Sequence, residues 1–318
     1  MNKDRFILWF TLCIIITSVS FGRHIMIEKR KDIELRDASK HAVTLNSTAK
    51  DDAIYCATMD LVWNHMNDTI DIKKWGDDYK IVKALNRREF DKSMLDEDSY
   101  TLTSEVSANT IEIISKLEKN FKFHKPFEMF KKGKFAGRYD VQYFGKSADT
   151  ERDDISMIFY EDKNNHGIKI DTRDNEEIYL YKTSKRDTFK NLWKEIKVKE
   201  SRNIFFKKLN KDDIFKMPLI KLNVYRNIEE LRELKFKSYN NGNYLILKAG
   251  QKIDFKLDNE GGELRSLAYI GILSAAESNK YHPKKFYYDK DFIMFIKQKN
   301  SNKPYFAIRI NSDKYLDN

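Results

Sequence analysis

The final third of the chain is written in a two-residue period. Ile253-Asp254-Phe255-Lys256-Leu257-Asp258 alternates strictly, which puts Ile253, Phe255 and Leu257 on one face of an extended segment. Residues Phe292 to Ile296 and Tyr305 to Ile310 are nearly unbroken apolar runs, separated by the polar turn 299–303. They read as two strands joined by that turn. The same pattern reaches upstream. Ile155 to Tyr160 reads as a strand, Asp162 to Gly167 as a turn, and Ile168 with Ile170 as the return strand. Glu177 to Lys182 and Pro218 to Val224 add two more.

Helical periods interrupt this series and precede it. Asp51-Asp52 offers an N-cap before Ile54, Tyr55, Thr58, Met59, Leu61, Val62 and Met66, which recur at three and four. A second helix is predicted over Ser104 to Lys119, carried by Val106, Ile111, Ile113, Ile114 and Leu117. A third is predicted over Ser184 to Lys197, with Phe189, Leu192, Trp193 and Ile196 on one face, and a short one over Ile228 to Leu234. Helices first, then strands broken by single helices, predict the α+β class.

With 41% apolar and 13% aromatic residues, the 318-residue chain can bury a sizeable core. Two cysteines exclude a disulfide scaffold and a Cys-rich metal site. A mean hydropathy of −0.67 excludes a multi-spanning membrane protein. The net charge is +10, but basic and acidic residues are interspersed, as in Lys73-Lys74-Trp75-Gly76-Asp77-Asp78. No Arg-rich tract interleaved with aromatics occurs, so no nucleic-acid partner is expected.

Lys3 and Arg5 precede an apolar run from Phe6 to Ile16, and small residues follow to Gly22. That order predicts a secretory signal peptide over residues 1–22, or an uncleaved anchor whose only membrane contact is residues 6–22. The chain is expected in a secreted, periplasmic or extracellular location, or anchored by its N-terminus. Residues 23–50 are charged and read as a spacer, and 51–318 as one domain.

The end of the chain resembles the serpin family. Phe286-Tyr287-Tyr288-Asp289-Lys290-Asp291-Phe292 looks like the segment that re-enters the sheet after the serpin reactive loop. Ile293 to Lys297 and Pro304 to Ile310 look like the last two strands, with Arg309 where serpins carry Arg in a Gly-Arg pair. Gln251 to Gly261 is similar to the strand and hinge that launch the loop, and Asp258-Asn259-Glu260-Gly261 to its acidic run ending in Gly. Phe127 to Phe135 and Lys216 to Leu222 resemble two further strands. The segments come in serpin order over the last 190 residues or so.

The resemblance implies serpin-like mixed sheets with N-terminal helices and a reduced N-terminal half. It implies a hinge at Glu260, Gly261, Gly262, Glu263 and Leu264, and a scissile bond at Ala275-Ala276. In that register Gly262, Leu264, Ser266 and Ala268 point inward on insertion and Arg265 outward. Leu264 is bulky for an inward slot, and overpacking costs roughly 1–3 kcal/mol. Gln251 stands where the family's shutter His would be, and the Ser-Pro-Leu-Ser segment of that shutter is absent.

Individual sites offer no catalytic constellation. Cys56 and His65 are nine residues apart on one predicted helix, about 13 Å along its axis, so they cannot act as nucleophile and base. The other histidines are scattered, and no metal or cofactor is expected. Asp51-Asp52 and Asp153-Asp154 are caps and turns, and Trp63, Trp75 and Trp193 are packing residues. The expectation is an exported, non-enzymatic, serpin-like protein that binds a protein partner through an exposed loop over 262–285. The rival is a serine or cysteine protease inhibitor acting by loop insertion and trapping. The third reading is a hydrolase using Cys56.

Overall fold

A computed structural model describes residues 36–37, 42–75, 79–106, 111–203, 208–240, 242–267 and 284–317. All of them belong to one compact unit, Leu35–Asn318. In chain order, β1 (Arg36–Asp37) and β2 (Ile54–Cys56) precede helix α1 (Thr58–Ile70) and β3 (Ile72–Trp75). Helix α2 (Lys80–Leu85) leads to β4 (Tyr100–Val106), β5 (Ile111–Lys122), β6 (Glu128–Phe135) and β7 (Tyr139–Lys146). Next come β8 (Ile155–Asp162), β9 (Asn165–Asp171), β10 (Glu176–Lys182) and helix α3 (Phe189–Arg202). Strands β11 (Ile214–Pro218), β12 (Ile220–Asn227), β13 (Lys235–Ser238), β14 (Asn243–Leu245) and β15 (Gly250–Leu257) follow. The series closes with β16 (Gly261–Leu267), β17 (Lys285–Tyr287), β18 (Phe292–Gln298) and β19 (Phe306–Ile310).

The strands form two six-stranded sheets, β1-β12-β15-β16-β5-β4 and β2-β19-β18-β10-β9-β8. A four-stranded sheet, β17-β11-β7-β6, and a three-stranded one, β14-β13-β3, complete them. The class is α+β, with mixed sheets and few helices. The apolar runs explain the second sheet: all seven residues of β18 and all five of β19 are buried. Its neighbours are α3, whose Trp193 meets Tyr179 and Phe295 at 4.9 and 4.7 Å, and the first sheet, joined through Phe255 and Phe306 at 4.5 Å.

Several expectations are corrected. The helix predicted over Ser104 to Lys119 is instead the antiparallel pair β4–β5. Ser115, Leu117, Lys119 and Phe121 are buried while Lys116, Glu118, Asn120 and Lys122 are exposed, a strict two-residue alternation. Isoleucines at 111, 113 and 114 fit either period, and pairing with neighbouring strands decides between them. The helix expected from Asp51 begins only at Thr58. Ile54 and Tyr55 belong to β2, paired with β19, and Asp52 accepts hydrogen bonds from the backbone of Asn311 and Ser312. The third helix starts at Phe189, capped by Thr188, whose hydroxyl accepts from the Asn191 amide at 3.1 Å. The folded body also begins before residue 51. Ala42, Leu45 and Ala49 are core residues, so the last part of the expected spacer is built into the domain.

Candidate functional site

The site grows from the turn between β15 and β16. The Asp258 carboxylate accepts from the backbone N–H of Glu260 at 2.9 Å and of Gly261 at 3.3 Å, and its own N–H donates to the Gly261 carbonyl. This Asx turn reverses the chain and holds Asp258 below the usual carboxylate range; burial alone would raise it, and the Lys256 ammonium and the two amides outweigh that. Two glycines follow because β16 runs hard against β5. A Cβ on Gly261 would stand 2.1 Å from the Phe121 carbonyl oxygen, and one on Gly262 would stand 2.2 Å from the Phe121 ring.

Strand β16 lies between β15 and β5 and is antiparallel to both. Leu264 stands opposite Phe255 and Lys119, and Ser266 opposite Ile253 and Leu117. Leu264 is fully buried and Ser266 is 2% exposed, while Arg265 is exposed. The sense of alternation is the one read from the sequence. Two other readings change. Residues 262–267 are strand, not exposed loop, because every backbone position there finds a partner strand. Leu264 is accommodated, because it lies on the inner face among the core residues rather than overfilling a slot. On the outer face Arg265 stands in register between Asp254 and Glu118 and pairs with Glu263 at 2.9 Å.

Beneath β16 sits a buried polar junction. Gln251 Nε2 donates to Thr58 Oγ1 at 2.7 Å. Thr58 and Ser266 share a hydrogen bond at 3.2 Å, and Ser266 donates to the Lys252 carbonyl at 3.4 Å. Thr58 opens α1, so the amino end of that helix meets the strand pair through one hydroxyl. Nothing in the sequence around Ala57-Thr58-Met59 signals it.

A second strut joins the sheets. Lys119 of β5, beside Leu264, makes a 2.9 Å ion pair with Glu176 of β10, both nearly fully buried. Desolvation pushes the Glu176 carboxyl up, and Lys119 opposes that.

Lys284 and β17 resume the described chain. The Lys284 amide donates to Asp213 at 3.0 Å, and β17 pairs in parallel with β11. Phe286 and Tyr288 close on the buried His166 ring at 5.7 and 5.4 Å, and Tyr160 stacks on it at 5.5 Å. Desolvation in this box lowers the His166 pKa to about 3, so the ring is neutral. Arg309, fully buried, holds Asp291 at 2.9 Å and the carbonyls of Thr183 and Lys185 at 2.8 Å. The candidate scissile pair Ala275-Ala276, and all of 268–283, lie outside the described residues.

The competing sites do not assemble. Cys56 is buried in β2, not on a helix with His65, which bonds Ser104 at 3.1 Å. Trp63 stacks on Trp75 at 5.0 Å, a packing role. Among the described residues no group of three His, Cys, Asp or Glu could hold a metal ion.

No protein-family profile and no curated protein sequence matches the chain. Solved structures do. Serpin48 of the insect Tenebrio molitor aligns at TM-score 0.38 and 15% identity, over 79% of this chain and 65% of that one. The loop-inserted structure of a cleaved ovalbumin mutant aligns at TM-score 0.42 and 13% identity, over 78% and 64%. Human thyroxine-binding globulin complexed with its hormone aligns at TM-score 0.39 and 13% identity, over 65% and 58%. These are likenesses of a divergent serpin-like fold. The chain spans less than two thirds of the length of each.

Proposed function

We propose that this is an exported serpin-like protein that binds a protein partner without catalysis and without a trapping cycle. The observation that supports the reading is the place of β16. Trapping needs the loop to be cut while outside the sheet and then to enter between two strands. Here Gly261–Leu267 is already paired on both sides, with β15 and with β5. A segment already seated has little insertion energy left to release on cleavage. The sequence assigns partner binding to 262–285; with 262–267 paired in β16, the reading rests on the remainder after Leu267, with Ala275-Ala276 in it. Residues 1–22 would direct export, and among the described residues no helix is long and apolar enough to cross a membrane.

One observation favours the inhibitor instead. Leu264 and Ser266 fit the inner face without exposure, so this sequence accepts the inserted strand. Melting curves before and after cleavage between residues 268 and 283 separate the two. The binding reading expects a shift of a few degrees, the scale of about 1 kcal/mol, and no adduct with elastase-like or trypsin-like proteases on a denaturing gel. A rise of tens of degrees, or a denaturant-resistant adduct, overturns it in favour of the trap.

A further inference from the structure

Of the five large apolar side chains exposed among the described residues, three lie within nine positions: Tyr239 at 61%, Leu245 at 42% and Leu247 at 64%. All three belong to the small sheet β14-β13-β3 and the segments next to it. One face of that sheet is anchored. Trp75, Phe236 and Tyr244 pack in a row, with ring centroids 4.8 and 5.2 Å apart, and Trp75 stacks on Trp63 of α1. The other face carries the alternate positions. Lys74, Lys237 and Asn243 stand in register across it, and Lys235 stands opposite Leu245. Lys73 lies 5.7 Å from the centre of the Tyr239 ring.

Lys73, Lys74, Lys235 and Lys237 are exposed, and none of the four enters an ion pair among the described residues. Of the acids flanking the sheet, Glu233 is engaged by Arg232 at 3.8 Å, and the exposed Asp71 carboxylate offsets only part of the lysine charge. The outward face sets Leu245 beside Lys74, Lys235 and Lys237, with Lys73 against the Tyr239 ring, a net positive surface with apolar tips. That combination matches one medium. At the headgroup boundary of an anionic bilayer, leucine and tyrosine enter the acyl edge while lysine stems lie along it, with their charge among phosphates.

We infer that this face docks on an anionic phospholipid surface, a membrane contact separate from residues 6–22 and independent of the role proposed for the loop. The probe is vesicles of phosphatidylcholine with phosphatidylserine, set against phosphatidylcholine alone, with the full chain. The apolar run near the N-terminus is the same in every variant, so the difference between the two vesicle types is the readout. The wild type prefers anionic vesicles, and the preference fades as salt rises. K235E/K237E lowers the anionic partition constant at least about 25-fold, at about fivefold per lysine. L245S/L247S lowers it about tenfold. K131E/K132E, the same charge change on exposed lysines of β6, leaves most of it. Tyr239→Trp adds a fifth tryptophan, and its emission, taken as the difference from the wild type with Trp9, Trp63, Trp75 and Trp193, moves to the blue on binding if the face enters the boundary. Three outcomes overturn the inference: no preference for anionic vesicles, a loss in K131E/K132E equal to that in K235E/K237E, or a difference emission of the Tyr239→Trp variant that does not shift in vesicle-bound protein.

Discussion

Gln251 donates its side-chain amide to the hydroxyl of Thr58 across 2.7 Å, and both side chains are fully buried. The two residues are 193 positions apart and belong to β15 and to the first turn of α1. Thr58 accepts from Gln251 and so has its own proton free for Ser266, whose proton in turn reaches the Lys252 carbonyl. The order of donation is consistent along the whole chain of groups. It ties β16 to its neighbour β15 and to a helix.

Removing the central hydroxyl leaves the buried Gln251 amide without an acceptor and Ser266 with only its bond to the Lys252 carbonyl. Thr58→Val should destabilise by about 1–3 kcal/mol, the usual cost of an orphaned buried polar group. Gln251→Leu removes one donor and leaves Thr58 and Ser266 paired, so it should cost less. The double variant should cost less than the sum of the two, with a coupling of about 0.5–3 kcal/mol. Chemical denaturation of the four proteins checks this, and strict additivity would mean that the two side chains do not interact.

Leu264 tests whether β16 is a strand of the resting protein. Seated, Leu264→Ala leaves a cavity between the sheets and should cost about 2–5 kcal/mol. The exposed neighbour change Arg265→Ala should cost less than about 1 kcal/mol. The expected result is a clear fall in melting temperature for the first and almost none for the second. Equal, small effects would place this segment outside the sheet in solution.

How much of this was legible depended on where the deciding contact lies. Strands β18 and β19 were readable because their apolar runs leave no helical face to expose. Strand β15 was readable from Ile253, Phe255 and Leu257 alone. Strand β5 was not, because its isoleucines satisfy both periods and Lys119 looks like a surface residue. Its partner Glu176 lies far along the chain on another sheet. Leu264 was read as too large because its slot was judged by the usual occupant rather than by the core around it. Thr58 was missed because the helix was begun at Asp51-Asp52, which put Thr58 inside it among the core-facing positions, and nothing local points to Gln251.

Asp60 carries the last expectation. Its carboxylate is fully buried and accepts from the Tyr55 hydroxyl at 2.6 Å. Desolvation pushes its pKa up to about 7, against the Tyr55 hydrogen bond, and the nearby Glu89 adds to the rise. Tyr55 itself is raised well above its ordinary value by burial and by Asp60, so it remains the donor throughout. With the folded pKa above the unfolded value of 3.8, the protonated acid favours the fold. That contribution is complete below about pH 4 and is lost as pH rises to about 7. Asp60→Asn keeps an acceptor for Tyr55 and cannot ionise. The variant should therefore gain on the wild type as pH rises from about 4 to about 8, by at most about 4 kcal/mol. Unfolding curves of both proteins across that range are the check. A stability difference that stays flat, or that moves the other way, would mean that Asp60 is already charged in the folded protein.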